Sequence, residues 1–266
     1  MDKPDRGDWV YGRRPALEVL RAGKRHVYDA ILPTAERDTP EIAEMRSLLK
    51  ARGVPFRAVL DREELDRLCR GGNHQGVVLR VGGFPYISFE QVLHDIEEQP
   101  DAIVLILDHI EDPQNVGSLL RTADAVGVTA VLLPEDRAAG ITPAAVRASA
   151  GASEHMRVAK VVNLVRAMKD LQAQGAWITG LDMGPDARPH TAVDFKGRVA
   201  LAIGSEGRGL SRLVRATCDF IACLPMKGRV ASLNAGVAGA IALYEVVRQR
   251  GCDSGAGSNP YKRQSH

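Results

Sequence analysis

The 266-residue chain has only four cysteines, Cys69, Cys218, Cys223 and Cys252, and no two of them form a Cys-x-x-Cys pair. A disulfide framework is therefore not expected, and reduced thiols suit a cytosolic protein. Cys218 and Cys223 flank a strand-like run with no histidine nearby, which argues against zinc. No apolar run approaches the roughly 20 residues that a membrane-spanning helix needs. The opening segment, Met1 to Asp8, is polar and lacks the apolar core of a secretory signal. The cytoplasm is the expected compartment. A net charge of +2 does not by itself announce a nucleic-acid binder. Its distribution says more: the first 25 residues carry Lys3, Arg6, Arg13, Arg14, Arg21, Lys24 and Arg25 against four acids, and Lys262 and Arg263 lie near the end. Local basic patches can hold phosphates in a nearly neutral chain. With 45% hydrophobic and 26% charged residues the composition is globular.

The richest segment runs from Leu107 to Asp124. It follows the apolar run Ala102 to Leu107, which reads as a strand buried on both faces. Asp112 stands where an N-cap belongs and Pro113 fits the first helical position. Along the helix that follows, Val116, Leu119, Leu120, Ala123 and Val126 share one face at about 100° per residue. Asn115, Ser118, Arg121 and Thr122 fall on another. A polar cluster beside the carboxyl end of a buried strand is where open α/β sheets place ligands.

Residues 12–80 alternate between helix and strand: helix 15–21, strand 27–32, helix 40–52, strand 56–60, helix 62–69 and strand 77–81. Asp61 is expected to cap the helix from Arg62, with Glu64 completing a capping box. Gly82 to Tyr86 reads as a linker, and residues 89–97 as a short helix. Strands are then expected at 102–107, 128–133, 156–162, 176–181, 198–203 and 219–224. Helices are expected at 113–126, 142–150, 163–174, 210–217 and 234–249. Strands alternating with helices imply a mostly parallel sheet. The divisions are 1–81, a small α/β unit; 82–101, a linker and lead-in; 102–250, the larger α/β unit; and 251–266, a Gly- and Ser-rich tail expected to be unstructured.

Two downstream segments complete a pattern with Leu107–Asp124. One is Ala200-Leu-Ala-Ile-Gly-Ser-Glu-Gly-Arg-Gly-Leu210, and the other is Leu224-Pro-Met-Lys-Gly-Arg-Val-Ala-Ser-Leu-Asn-Ala-Gly236. The first is neither the G-x-G-x-x-G dinucleotide fingerprint nor a P-loop. In order and spacing the three segments resemble the signature motifs of SpoU/TrmH-type RNA 2′-O-ribose methyltransferases of the SPOUT superfamily, over residues 102–250. Tyr11-Gly-Arg-Arg-Pro-Ala-Leu-Glu-Val-Leu20 and His74-Gln-Gly76 resemble the N-terminal substrate-binding domain of many such enzymes, which has an L30e-like fold.

The resemblance implies an α/β SPOUT domain with a C-terminal trefoil knot, which no generic rule would suggest. It further implies S-adenosylmethionine as cofactor, no metal, RNA as substrate and a homodimer. Gly204, Leu224, Leu233 and Met226 would contact the cofactor, with Thr179, Gly180 and Leu181 as a third wall. Apolar Leu224 and Leu233 suit an adenine ring. Arg121, Asn115, Glu206, Ser232 and Asn234 would form the catalytic set. A literal arginine base is awkward because guanidinium stays protonated. Arg121 reads better as a clamp on a phosphate that stabilises the developing alkoxide, with Asn115 fixing the ribose or the neighbouring phosphate. Ser232 and Asn234 also have a plain reading as helix caps. Asp108, His109, Glu111 and Asp112 imitate a metal site, but Asp112 is better explained as a cap. His74 stands either as an RNA contact or as a structural turn residue. The two-domain layout is closest to members that modify guanosine in large-subunit (23S) ribosomal RNA. The same chemistry on tRNA and a noncatalytic RNA-binding or ribosome-assembly role are the alternatives.

Overall fold

A computed structural model describes residues 7–34, 39–59, 61–136, 138–229 and 232–251. Of the tail expected to be unstructured, residues 252–266 lie outside the described residues. The first unit comprises β1 (Asp8–Tyr11), α1 (Arg13–Ala22), β2 (Val27–Leu32), α2 (Pro40–Ala51), β3 (Phe56–Ala58), α3 (Arg62–Leu68) and β4 (Val78–Val81). Its sheet runs β1-β4-β2-β3, with β4 antiparallel to both neighbours and β2 parallel to β3. Asp61 caps α3 by accepting the Glu63 N–H at 2.9 Å. The expected capping box does not form around Glu64, whose carboxylate instead receives the Arg57 guanidinium from β3.

The second unit opens with α4 (Phe89–Glu98), which carries a capping box between Ser88 and Gln91. It continues with β5 (Ile103–Asp108), α5 (Pro113–Val126), β6 (Ala130–Pro134), α6 (Pro143–Ala148), β7 (Val158–Val161), α7 (Leu164–Ala173) and β8 (Trp177–Leu181). Then follow β9 (Arg188–Pro189), β10 (Val199–Gly204), α8 (Arg212–Thr217), β11 (Phe220–Cys223) and α9 (Ala235–Arg250). The seven strands are parallel in the order β7-β6-β5-β10-β8-β11-β9. α6 is shorter than expected; the chain leaves it at Ser149 and makes a 3-10 turn at Ala152–Glu154.

Strand alternation sorts the central core onto two faces. Leu105, Leu107, Leu201 and Ile203 join one apolar cluster with α5 and α9, while Val104, Ile106, Ala200 and Ala202 join another with α4 and α7. The first cluster does not stop at the sheet. It continues through α6 into Val10, Leu17, Leu20, Ile42 and Leu79 of the N-terminal unit. The two sheets therefore share one continuous apolar core across their joint. At that joint Gly151 turns at φ 90°, where a Cβ would strike Glu18 at 2.6 Å.

From β5 the chain builds outward through β6 and β7, then returns to place β10 on the other side of β5. The carboxyl ends of β5 and β10 thus lie side by side at a topological switch point, the usual ligand crevice of an open parallel sheet.

Candidate active site

Asp108 ends β5 and is wholly buried. Its Oδ2 accepts the Ser211 N–H at 2.6 Å, and its Oδ1 contacts His109 Nδ1 at 2.5 Å. The first bond staples the end of β5 to the start of α8 and so fixes the intervening loop, residues 205–211. That loop doubles back tightly: the Gly209 N–H donates to Ser205 O at 2.9 Å. A Cβ on Gly204 would lie 2.2 Å from the Gly209 backbone, and Gly207 and Gly209 take φ of 76° and 65°. Glycine is required here by the loop's own backbone as much as by any ligand.

The loop presents Glu206 to two asparagines. Asn115, buried on the first turns of α5, donates its Nδ2 to Glu206 Oε1 at 2.7 Å. Asn234 donates to the same oxygen and to Asn115 Oδ1, the latter at 2.7 Å. The Ala235 N–H adds a contact to Glu206 Oε1 at 3.3 Å. A carboxylate at the N-terminus of α9 is favoured by the helix dipole. Asn234 also caps α9 by accepting the Val237 N–H at 3.2 Å. Ser232 is therefore not the cap; it is exposed and lines the adjoining cavity. The cap position is set by where α9 meets α5: Gly236 packs so closely that a Cβ would lie 2.1 Å from Ser118 Oγ.

Two cavities flank this cluster. One, of about 440 Å³, has apolar walls from Leu181, Ile203, Leu224, Met226 and Leu233, with Gly204 at its edge. The other, of about 640 Å³, is polar and takes in His109, Glu111, Asp112 and Asn115. Ser205, Glu206, Arg208 and Gly209 border both. Of the third-wall residues, only Leu181 reaches the apolar cavity, with Asp182 and Met183 beyond it. Thr179 is buried within β8, and Gly180 faces Leu210, Cys218 and Ile221. Arg121 lines neither cavity. It lies exposed on α5, about 9 Å along the axis from Asn115, with no hydrogen bond or ion pair among the described residues. His74 is a structural turn residue, holding Asp66 at 3.1 Å and the Gly76 N–H at 3.0 Å.

The sequence reading overlooked Arg208 as a lining residue and Asp108 as the loop's anchor. A charge set between two glycines was a signal for the first. A carboxylate ending an unbroken apolar strand was a signal for the second, since burying one requires donors. Among the described residues no three His, Cys, Asp or Glu side chains converge as metal ligands would.

Residues 102–244 match the SpoU rRNA methylase family, and residues 9–87 match the RNA 2′-O ribose methyltransferase substrate-binding family. The chain is 38% identical over 246 residues to a putative TrmH family tRNA/rRNA methyltransferase, YacO, of Bacillus subtilis, covering 91% of this chain and 96% of that one. It is 35% identical to the 23S rRNA (guanosine-2′-O-)-methyltransferase RlmB of Xylella fastidiosa, covering 92% and 98%. The fold also matches the SpoU methyltransferase AviRb of Streptomyces viridochromogenes, solved with AdoMet, at a TM-score of 0.74 and 27% identity over 91% and 90% of the chains. The chain belongs to the SpoU RNA methylase family. It is an RNA methyltransferase that uses S-adenosylmethionine.

The apolar cavity suits that cofactor. Its volume lies in the range of roughly 300–1,000 Å³ typical of small-ligand sites, and leucine and methionine walls with nearby backbone polar groups suit an adenosine.

Proposed function

We propose that this protein methylates the ribose 2′-hydroxyl of a guanosine in large-subunit (23S) ribosomal RNA, in the cytoplasm and as a homodimer. The observation that carries the reading is the Asn115–Glu206–Asn234 cluster, standing between an apolar cavity and a polar one at the sheet's switch point. The cofactor, when bound, supplies an electrophilic methyl group, leaving the protein mainly to position and to stabilise charge. Gly204, Leu181, Leu224, Met226 and Leu233 hold it. The polar cavity takes the target nucleotide, with Asn115 and Asn234 orienting the ribose and Glu206 holding both amides in place. Ser232, on the rim, contacts the substrate. Arg121, exposed on α5 outside both cavities, clamps a flanking phosphate of the RNA and so helps position the target nucleotide.

The preference for 23S guanosine is supported by the Xylella relative's name and near full-length match. The homodimer is supported by Val237, Ile241 and Tyr244, which form an exposed apolar stripe on α9 beside the site. No helix among the described residues is long and apolar enough to cross a membrane. The proposal keeps residues 1–81 as the RNA-binding unit and 102–250 as the methyl-transfer unit. It also includes the C-terminal trefoil knot, supported by the placement of β10 between β5 and β8 and the return of α9 onto α5.

The test is methyl transfer from radiolabelled S-adenosylmethionine to total RNA, followed by mapping of the modified nucleotide. Label on a 23S guanosine ribose is expected. Label confined to tRNA would shift the substrate, and no label in any RNA would favour a noncatalytic binding role.

A further inference from the structure

Several arginines of the N-terminal unit have acidic partners. Arg21 meets Glu18 and Glu44 at 2.9 Å, Arg80 meets Asp29 at 2.6 Å, Arg25 meets Glu154 at 3.0 Å, and Arg57 pairs with Glu64. Arg13 and Arg14, at the start of α1, do not. Neither does Arg147, in the last turn of α6 across the joint. These three line one hollow of about 380 Å³ together with Asn73 and Gln75. None of them forms an ion pair with a carboxylate among the described residues. Arg13 Nε is shut off from solvent with no hydrogen-bond partner. The one acid on the rim, Glu41, is engaged by the Thr39 hydroxyl at 2.8 Å.

The walls of this hollow are set in advance. Gln75 sits at φ 53° and its Oε1 accepts the Arg13 N–H at 3.0 Å. The His74 ring fixes the turn beneath it through Asp66 and Gly76. The Arg147 guanidinium lies 5.6 Å from the centre of the Tyr11 ring, which holds it toward the joint. No acid occupies the first turn of α1, so its positive end is uncompensated. Three guanidiniums gathered around a single carboxylate, Glu41, which feels the charges of Arg13 and Arg14 but pairs directly with neither, leave a net positive charge, and the arrangement is relieved by an anion. Planar guanidinium forks match phosphate oxygens two at a time.

We propose that the hollow between α1 and α6 clamps the phosphodiester backbone of the RNA substrate through Arg13, Arg14 and Arg147. This rests on the reading of the chain as an RNA methyltransferase and adds to it a site shared by both units. On α5, Arg121 lies about 40° around the helix from Gly117, which packs on α6, and 60° from Ser118, which packs on α9. The clamp, Arg121 and the asparagine cluster thus follow one another across adjoining elements, so RNA held at the joint is led toward the methyl-transfer site.

The experiment measures binding of deproteinised large-subunit rRNA at several salt concentrations, with S-adenosylhomocysteine binding followed calorimetrically on each variant. The variants are Arg14→Gln with Arg147→Gln, the triple that adds Arg13→Gln, and Arg21→Gln as a paired-arginine control. The triple should bind RNA at least about tenfold more weakly, and its plot of log affinity against log salt should flatten by about 2, since each phosphate contact contributes roughly 0.7–0.9. The double variant, confined to exposed side chains, should show a smaller change in the same direction. Cofactor-product binding should be unchanged throughout, which reports an intact fold. An unaltered salt slope in the triple, or an equal change in Arg21→Gln, overturns the clamp. Wild-type methyl transfer to RNA is scored in parallel, so the clamp and the enzymatic reading fail separately. A wild type that binds RNA through these arginines but transfers no methyl group keeps the clamp and removes the enzyme.

Discussion

Oε1 of Glu206 gathers two asparagine side chains and the first N–H of α9, drawing on segments 91 and 119 residues apart in sequence. Bonds to an ionised acceptor are roughly twice as strong as neutral ones. Glu206→Gln should therefore keep the shape and loosen all three contacts, costing about 1 kcal/mol of stability because the carboxylate is largely exposed. Methyl transfer should fall further than stability does. Urea unfolding beside single-turnover kinetics separates the two, and an unchanged rate would take Glu206 out of the site. Arg121→Ala should preserve fold and S-adenosylhomocysteine affinity while lowering turnover by about 10²-fold or more. Arg121→Lys, which keeps the charge and loses the fork, should fall between. Near-normal turnover in the alanine variant would dismiss the clamp. These residues were legible because each stands in a motif with a local signature. Asp108 was legible only as a possible ligand or loop residue, since its role depends on Ser211, 103 positions away.

Most elements of the larger unit were legible from apolar runs bounded by caps and glycines, and the expected strands and helices fall within a few residues of their places. β1 was missed because Asp8-Trp-Val-Tyr11 is short and lies at a sheet edge, with only Val10 fully buried. β9 was missed because it is two exposed residues paired only with β11. Gly204 illustrates a partial reading. The sequence pointed to a close approach to ligand, whereas the nearest obstruction to a side chain is the backbone of Gly209 and Leu210. Gly204→Val should then disrupt the loop itself, lowering thermal stability as well as cofactor binding, by calorimetry on the same sample. Loss of binding with full stability would restore the simpler ligand-contact account. α9 carries two faces by design: Gly239, Leu243 and Val246 inward, and Val237, Ile241 and Tyr244 outward. Placing Asp at both Ile241 and Tyr244 should give a folded species of single-chain mass by light scattering. A mass unaffected by these changes, whether dimeric or monomeric from the start, would discard this helix as the interface.

At the scale of the whole molecule, the pattern suggested two units but could not show how they meet, because the joint is built from single residues far apart in sequence. Its centre is Arg25 and Glu154, whose side chains are 0% and 1% exposed and meet at 3.0 Å. The Arg25 guanidinium also lies 5.0 Å from the centre of the Phe84 ring. Lys24, His155 and Glu18 surround the pair with further cross-joint bonds. Burial pushes the Glu154 carboxyl above its ordinary pKa, against the pull of Arg25. Removing Arg25 alone leaves a buried carboxylate without its partner, which typically costs about 3–5 kcal/mol. Arg25→Met should therefore be strongly destabilised at pH 8. With Arg25 gone, the folded-state pKa of Glu154 rises further above its unfolded value. A group shifted in that sense favours the folded state at low pH and penalises it as pH climbs through the folded pKa. The deficit of Arg25→Met relative to wild type should thus shrink between pH 8 and pH 5. The double change Arg25→Met with Glu154→Leu, which removes both charges, should recover most of the loss and abolish that dependence. Urea unfolding of the three proteins at the two pH values decides the matter: a deficit that is independent of pH, or one the double change leaves untouched, would mean that the two units are held by their shared apolar core and not by this ion pair.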